Sequence, residues 1–220
     1  AVATLVDDAG LLATLREELR GLGDLERAAA RIGFRQARPA ELAALRAGLA
    51  VVPRVRELLA SSPDALLAAS GRDLDDLTDL RADLEATLAE EPPALLGPGT
   101  IRPAVDAELD ELRGLARGAK EVLGELEARE RARSGIGALR IRYNRVFGYA
   151  FEVSRAHLAK VPEDFVRRQT LAGAERFTTP ELEDLERRIT TAEARGDERE
   201  RELYAELAER CAACAGRLAA

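Results

Sequence analysis

The chain has 220 residues, of which 46% are hydrophobic and 33% carry a charge, and its formal net charge is −7. This length is enough to bury a substantial core in one large domain or two ordinary ones. Since no apolar run approaches the roughly 18 residues that cross a bilayer, and no basic-then-apolar leader is present, we expect a cytoplasmic protein without a membrane span.

The first 90 residues have the pattern of short helices separated by helix breakers. Apolar residues recur at helical spacing up to Ile32, with an interruption at Gly21 and Gly23. Asp24 is placed to cap the helix that restarts there. Leucines between Leu74 and Leu88 fall on one face of a further predicted helix. Prolines are expected to start three helices: Pro39, Pro53 and Pro63.

The second part of the chain predicts two long helices. Residues 91–103 contain four prolines and two glycines, which indicates a loop. Beyond it, apolar residues follow a coiled-coil spacing from Leu109 to Leu126. A second run with this spacing begins after Pro180 and has a polar middle. Two long helices around a short segment imply an antiparallel stalk, with that segment at its tip.

The intervening segment, about residues 134–179, has the period of β-strands. Large apolar side chains alternate with polar ones on both sides of NRVFG, which predicts a hairpin with Tyr143, Tyr149 and Phe151 facing inward. FVRRQTL and AERFTTPEL predict a second strand pair, closed around Ala172–Gly173. The predicted fold is therefore mainly α, with long antiparallel stalk helices and a small antiparallel sheet at the tip, α+β overall.

Charge and aromatic residues are concentrated in the same interval. Six of the eight aromatic residues lie between Tyr143 and Phe177. Residues 131–176 contain ten basic and four acidic side chains, a net charge of +6, which leaves −13 for the rest of the chain. Solubility alone does not require such segregation. We therefore expect the Arg-rich face of the sheet to bind an anionic partner.

Enzyme chemistry has little support in the sequence. None of the common phosphate-loop, nucleophile-elbow, zinc-protease or dinucleotide fingerprints occurs. The single histidine, His157, has no partner motif. Cys211 and Cys214 are expected to be small packing residues, because a zinc site needs four ligands. We therefore predict no catalytic residue, no cofactor and no metal site in this chain.

Two functions remain open from the residues alone. Alternating arginines on a sheet suit phosphate oxygens, and no element looks like a recognition helix, which predicts duplex DNA backbone binding without base readout. The alternative is a coiled-coil structural arm that mediates protein–protein interaction. The arm explains the heptads, whereas only the first hypothesis explains a basic sheet.

The segment IRYNRVFGYAFEVSRAHLAKVPEDFVRRQTLAGAERFTTPELEDLE (residues 141–186) resembles the clamp of the MutS family, bacterial DNA mismatch-recognition ATPases. GTIRPAVDAELDELRGL (residues 99–115) is similar to the family's entry into its long lever helix. The resemblance implies a piece of a longer protein, and the chain's start without Met agrees with that. It implies a helical lever at 1–103, stalk helices at 104–133 and 180–220, and a β-rich clamp at 134–179.

The resemblance also implies which residues touch DNA. Asn144, Arg168 and Arg176 match family clamp positions near the duplex. Their neighbours complete the predicted DNA-binding set: Arg145, Arg167 and Gln169. Where many members have Lys and Asn, this chain has Ala172 and Gly173, so Arg145 or Arg142 is expected to compensate.

Structural roles stay open for three members of this set. Asn144 could be a turn former, since Asn tolerates left-handed backbone. Arg176 could pair with Glu163 or Glu175 and stabilise the sheet. Arg168 could belong to an ordinary solvated face.

For the whole protein, the resemblance implies further partners. It implies binding of ATP and Mg²⁺ by a domain outside this chain, a homodimer around double-stranded DNA, and a MutL-type partner. It also implies a cytoplasmic, nucleoid-associated protein.

Overall fold

A computed structural model describes residues 1–218, and they fall into two compact units. Unit 1 comprises Ala1–Asp106 with the residues from Arg199 onward, and unit 2 comprises Ala107–Glu198. The protein is mainly helical and carries one small antiparallel sheet, which confirms the predicted fold class. The finer division into lever, stalk and clamp stays a prediction.

Unit 1 is built from short helices around a leucine-rich core. Leu42, Leu49, Leu84 and Leu207 are among its fully buried side chains. Its helices are α1 (Val2–Asp7), α2 (Ala9–Arg20), α3 (Leu25–Gly33), α4 (Pro39–Leu49), α5 (Val52–Ala60), α6 (Ala65–Asp73) and α7 (Thr78–Thr87), with the last part of α9 (Pro180–Ala213) and α10 (Ala215–Leu218).

Local signals in unit 1 set most of its helix starts. The Asp24 side chain accepts a hydrogen bond from the Arg27 N–H and caps α3 as predicted. α4 begins at Pro39 and α5 carries Pro53 in its first turn. α6 starts slightly later than expected, because Asp64, after Pro63, is its N-cap.

The single helix predicted from Leu74 to Leu88 is wrong. α6 ends at Asp73, and α7 does not begin until Thr78. Between them Asp75 accepts a hydrogen bond from the Leu77 N–H at 3.0 Å, and Leu77 has a positive φ of 47°. A local side-chain-to-backbone hydrogen bond therefore outweighs the apolar periodicity at this point.

Unit 2 pairs α8 (Ala107–Ser134) with the first part of α9, as the heptads predicted. Both helices are continuous, and their antiparallel arrangement is visible in cross-helix ion pairs. These join Lys120 to Glu193, Arg129 to Glu181, and Glu108 to Arg195.

The sheet of unit 2 lies between these helices in sequence. Its strands are β1 (Arg140–Asn144), β2 (Gly148–Ser154), β3 (Val166–Thr170) and β4 (Ala174–Thr178), with a 3₁₀ helix at Arg155–Lys160. The spatial order is β1-β2-β4-β3 and all neighbours are antiparallel. Both predicted hairpins are confirmed, including the Ala172–Gly173 connection.

Aromatic side chains join the inner face of the sheet to the helices. The rings of Phe151 and Phe165 stack with centroids 4.6 Å apart, and Phe177 lies 6.2 Å from Phe165. Leu126 and Leu182 pack in the same buried cluster. The sheet thus acquires a core by covering the apolar seam of two helices.

Tyr143 lies on the predicted face, opposite Tyr149 of β2, but it is not covered there. Its side chain is 58% exposed, although Phe151 on the adjacent strand is fully buried. β1 is an edge strand, and Tyr143 lies at its hairpin end beside polar residues of α9. Only the ring of Tyr149, at a centroid distance of 5.0 Å, packs against it among the aromatic residues that the structure describes.

None of the helices within residues 1–218 combines the length and hydropathy that a bilayer crossing requires.

We predict that Phe151→Ala lowers the free energy of unfolding of unit 2 by about 3–5 kcal/mol, because it empties a buried aromatic site. Urea denaturation followed by near-UV circular dichroism reports this change, since six of the eight aromatic residues lie in residues 143–177. Phe147→Ala is the matched control from the exposed hairpin loop and is expected to cost less than about 0.5 kcal/mol. Equal effects of both variants would contradict the described core.

Candidate functional site

The β1–β2 hairpin is shaped by its own polar side chain and a glycine. The Asn144 side-chain oxygen accepts hydrogen bonds from the N–H groups of Val146 and Phe147, at 2.9 and 3.2 Å. Gly148 closes the three-residue loop with a φ of +70°, which a side chain disfavours. Asn144 therefore forms the turn, which is the structural role that the sequence left open for it.

Helix α9 lies directly behind this hairpin. The Glu186 carboxylate occupies the space that a side chain at position 148 would take. One of its oxygens accepts a hydrogen bond from the Tyr149 N–H at 3.3 Å. The absence of a side chain at Gly148 thus lets a helix carboxylate anchor the start of β2.

A groove of about 620 Å³ runs between the hairpin loop and α9. Arg145 from the loop and Arg168 from β3 both line it, together with Glu186. Arg145 is exposed, and no acidic side chain within residues 1–218 pairs with it or with Arg142. The groove therefore brings together two cations that are 23 positions apart in the sequence.

Arg168 takes its direction from an irregularity in β3. The register with β4 shifts between Arg167 and Gln169, so that Arg168 is the extra residue of a β-bulge. Its guanidinium forms an ion pair with Glu183 in the first turn of α9. Both side chains stay about half exposed, at 54% and 44%.

Arg176 lies in a polar row across the outer face of the sheet. It donates to a Glu152 oxygen at 3.1 Å and to the Gln169 side-chain oxygen at 3.1 Å. Its side chain is only 14% exposed. The expected partners Glu163 and Glu175 were wrong, because the strand register places Glu152 directly opposite Arg176.

Arg167 and Glu175 form a separate pair. The Arg167 Nε lies 2.9 Å from a Glu175 oxygen, in an ion pair without hydrogen-bond geometry. Glu175 is buried, whereas Arg167 is exposed. Neither side chain lines the groove beside the hairpin.

The loop before β3 is tied to the end of α8 by Arg133. Its guanidinium donates to both oxygens of Asp164, at 2.9 and 3.0 Å, and to buried Glu130 at 2.6 Å. It also lies 5.8 Å from the centre of the Phe165 ring. The hydrogen bond from Arg133 lowers the pKa of Asp164, so this acid stays charged to more acidic pH than an ordinary aspartate.

The histidine and cysteines are not among the residues that line the groove. The His157 ring nitrogen is 3.0 Å from the Ser154 hydroxyl. Cys211 is buried, and burial raises its thiol pKa to about 12, which keeps it protonated. Within residues 1–218, no three His, Cys, Asp or Glu side chains are grouped as a metal site.

The structure thus separates the six predicted DNA-binding residues by position. Arg145 and Arg168 share the groove, with Asn144 in the adjoining turn. Arg176 and Gln169 bond to each other on the sheet, and Arg167 contacts Glu175. Glu183 and Glu186 complete the site but carried no sequence signal, because the chain has 40 acidic residues and many of them lie on helices.

Known proteins match this chain over the same region. Residues 104–195 match the family model described as MutS family domain IV, and this range nearly coincides with unit 2. The chain belongs to the MutS family. A DNA mismatch repair protein MutS from Solibacter usitatus is 41% identical over 221 aligned residues, covering 100% of this chain.

A second MutS relative gives the same result. The DNA mismatch repair protein MutS of Salinibacter ruber is 40% identical over 94% of this chain. The chain spans only about a quarter of the length of these MutS relatives, 25% and 23% respectively. The relatives' similarity also extends over unit 1, which the domain IV match leaves mostly uncovered.

We predict that Arg176→Ala lowers the free energy of unfolding of unit 2 by about 1.5–3 kcal/mol, because it removes the hydrogen-bond partner of the Glu152 carboxylate. Arg142→Ala is the matched control from the same face of the sheet, where no acid pairs with the arginine, and should stay within about 0.5 kcal/mol. Urea denaturation with near-UV circular dichroism measures both. An Arg176 variant as stable as the parent would show that the polar row adds nothing to the sheet.

Proposed function

We propose that unit 2 binds the sugar-phosphate backbone of duplex DNA, without reading its sequence, as part of a DNA mismatch repair protein of the MutS type. The observation that carries the proposal is the groove in which Arg145 and Arg168 meet. Guanidinium groups suit phosphate oxygens in both charge and geometry. Arg142, exposed and without an acidic partner among the described residues, adds a third cation on the same hairpin.

The six predicted residues contribute in different ways to this proposal. Arg145 and Arg168 are the phosphate ligands, and Asn144 holds the turn that presents Arg145. Arg167 is exposed but outside the groove, and its pair with Glu175 reduces the positive charge that it offers. Arg176 and Gln169 support the sheet through their mutual hydrogen bond.

The side-chain oxygens of Asn144 and Gln169 already accept hydrogen bonds within the protein, which favours binding of the DNA backbone over base readout. Asn and Gln read adenine through a bidentate pair that needs both the oxygen and the nitrogen of the amide. The Asn144 oxygen already accepts two backbone N–H groups, and the Gln169 oxygen accepts from Arg176. Cations therefore dominate the surface offered to DNA, and phosphate contacts carry no sequence information.

The remaining features of the whole protein are proposals that rest on family membership alone. We propose that it forms a homodimer around DNA, binds ATP with Mg²⁺ in a domain outside this chain, and engages a MutL-type partner. Association with the nucleoid would follow from DNA binding. This chain's own part in that protein is to hold the duplex backbone.

We predict that the 220-residue chain binds labelled duplex DNA weakly, and that the logarithm of its affinity falls with the logarithm of salt concentration at a slope of about −2 to −4. Arg145→Gln and Arg168→Gln should each weaken binding about threefold to tenfold and reduce the magnitude of the slope by about 1. Fluorescence anisotropy at several salt concentrations measures both quantities.

Arg20→Gln is the control, since it removes the same charge from an exposed helix of unit 1 and should leave binding within about twofold. A perfectly paired duplex and one with a single mismatch should bind equally, because no base is read. Binding that is absent even at low salt would contradict the proposal and favour the protein-binding arm.

A further inference from the structure

Three of the six predicted residues are arginines with acidic partners, and these partners differ in accessibility. Arg167 contacts buried Glu175, and Arg176 is itself largely buried against Glu152. Of these three arginines, only Arg168 lines the groove. Its acidic partner, Glu183, is about half exposed, as Arg168 is. A solvent-exposed ion pair contributes little stability. Its partners can therefore exchange when a stronger ligand arrives.

Glu183 is held close to the groove by its helix. It lies in the first turn of α9, and its backbone N–H donates to the Thr179 carbonyl at 3.0 Å. The positive end of the helix dipole favours a charged carboxylate there. Arg168 comes to it from the bulge of β3, so the pair joins β3 to α9 through an arginine that also lines the groove.

The geometry points to a specific role for this acid: we propose that Glu183 competes with DNA phosphate for Arg168 and thereby sets the DNA affinity of the site. Without DNA, the carboxylate holds the guanidinium. When a phosphate binds, the guanidinium exchanges one anionic partner for another. This inference rests on the proposed function, which assigns Arg168 as a phosphate ligand.

Two physical effects of Glu183 act in the same direction. The carboxylate must be displaced before Arg168 can give its full charge to a phosphate. It then remains near the bound phosphate and repels it, since both are negative. The acid therefore weakens DNA binding, which suits a surface that must release DNA whatever its sequence.

Glu186 does not take this role, although it also lines the groove. One of its oxygens accepts the Tyr149 N–H, and its carboxylate rests against Gly148. It is engaged with the hairpin backbone and not with an arginine. Replacing it would alter the turn itself, whereas replacing Glu183 changes only the pair with Arg168.

The chain supplies a matched control two residues away. Glu181 lies in the same first turn of α9 and is also about half exposed, but it pairs with Arg129. Glu181→Gln and Glu183→Gln remove the same charge from the same helix end. Only the second substitution frees an arginine of the groove.

The test is a double-mutant cycle on duplex binding by the 220-residue chain, with a labelled paired duplex of about 25 base pairs at low salt. We expect Glu183→Gln to raise the affinity about threefold to tenfold, and Glu181→Gln to change it less than about twofold. In the Arg168→Gln background, Glu183→Gln should lose most of its effect, because the guanidinium for which Glu183 and the phosphate compete is gone. Near-UV circular dichroism should be the same for all variants.

The outcomes separate this inference from the proposed function. If the parent binds DNA and Arg168→Gln weakens binding, but Glu183→Gln matches Glu181→Gln, the competition is overturned and the proposed function stands. The same holds if Glu183→Gln raises affinity equally with and without Arg168. If the parent does not bind, or Arg168→Gln binds like the parent, the assignment of Arg168 fails and the competition fails with it.

Discussion

The contact between the phenylalanines of the sheet and the leucine seam of the two long helices is the interaction on which unit 2 depends. A single sheet with one apolar face must bury that face against another element. Phe151, Phe165 and Phe177 provide large apolar area on one face and cover Leu126 and Leu182 of the helices. The sheet's other face is thereby left to polar side chains such as Arg176, whereas the hairpin turn and the bulge of β3 place Arg145 and Arg168 in the groove.

Acidic partners then divide the arginines of unit 2 into those held within the sheet and those open to solvent. An arginine held against Glu152, with little exposure, cannot reach a phosphate without giving up its sheet contacts. Arg145, on the hairpin loop, has no acidic ion-pair partner within residues 1–218 and can reach a phosphate without losing any sheet contact. Between these extremes lies Arg168, paired but exposed, whose charge is available at the cost of one weak ion pair. The ten basic residues between positions 131 and 176 therefore contribute unequally to the positive potential of the surface.

Local periodicity was enough to predict the two long helices, both hairpins and the antiparallel sheet. These elements have strong, repeated patterns and short connections, so each is determined by nearby residues. The break at Leu77 was missed, because the hydrogen bond from the Leu77 N–H to the Asp75 side chain competes there with an apolar period that continues across the break. The exposure of Tyr143 was missed for a related reason: alternation gives the face of a strand, but not how far the cover over that face extends.

The candidate site was only partly predictable from the sequence. The basic interval and the family resemblance led to Arg145 and Arg168, and the groove brings these two together. The partners of the arginines depend on strand register and on a β-bulge, and neither leaves a signal in the residue pattern. This is why Glu152 was missed as the partner of Arg176, and Glu183 as the partner of Arg168.

The most direct test of DNA binding at the hairpin groove is an amide NMR titration of the ¹⁵N-labelled chain with duplex DNA. We expect the largest shifts at residues 144–148 and 167–169, with little change in unit 1. Shifts concentrated in unit 1, or along α8 away from the hairpin, would contradict it.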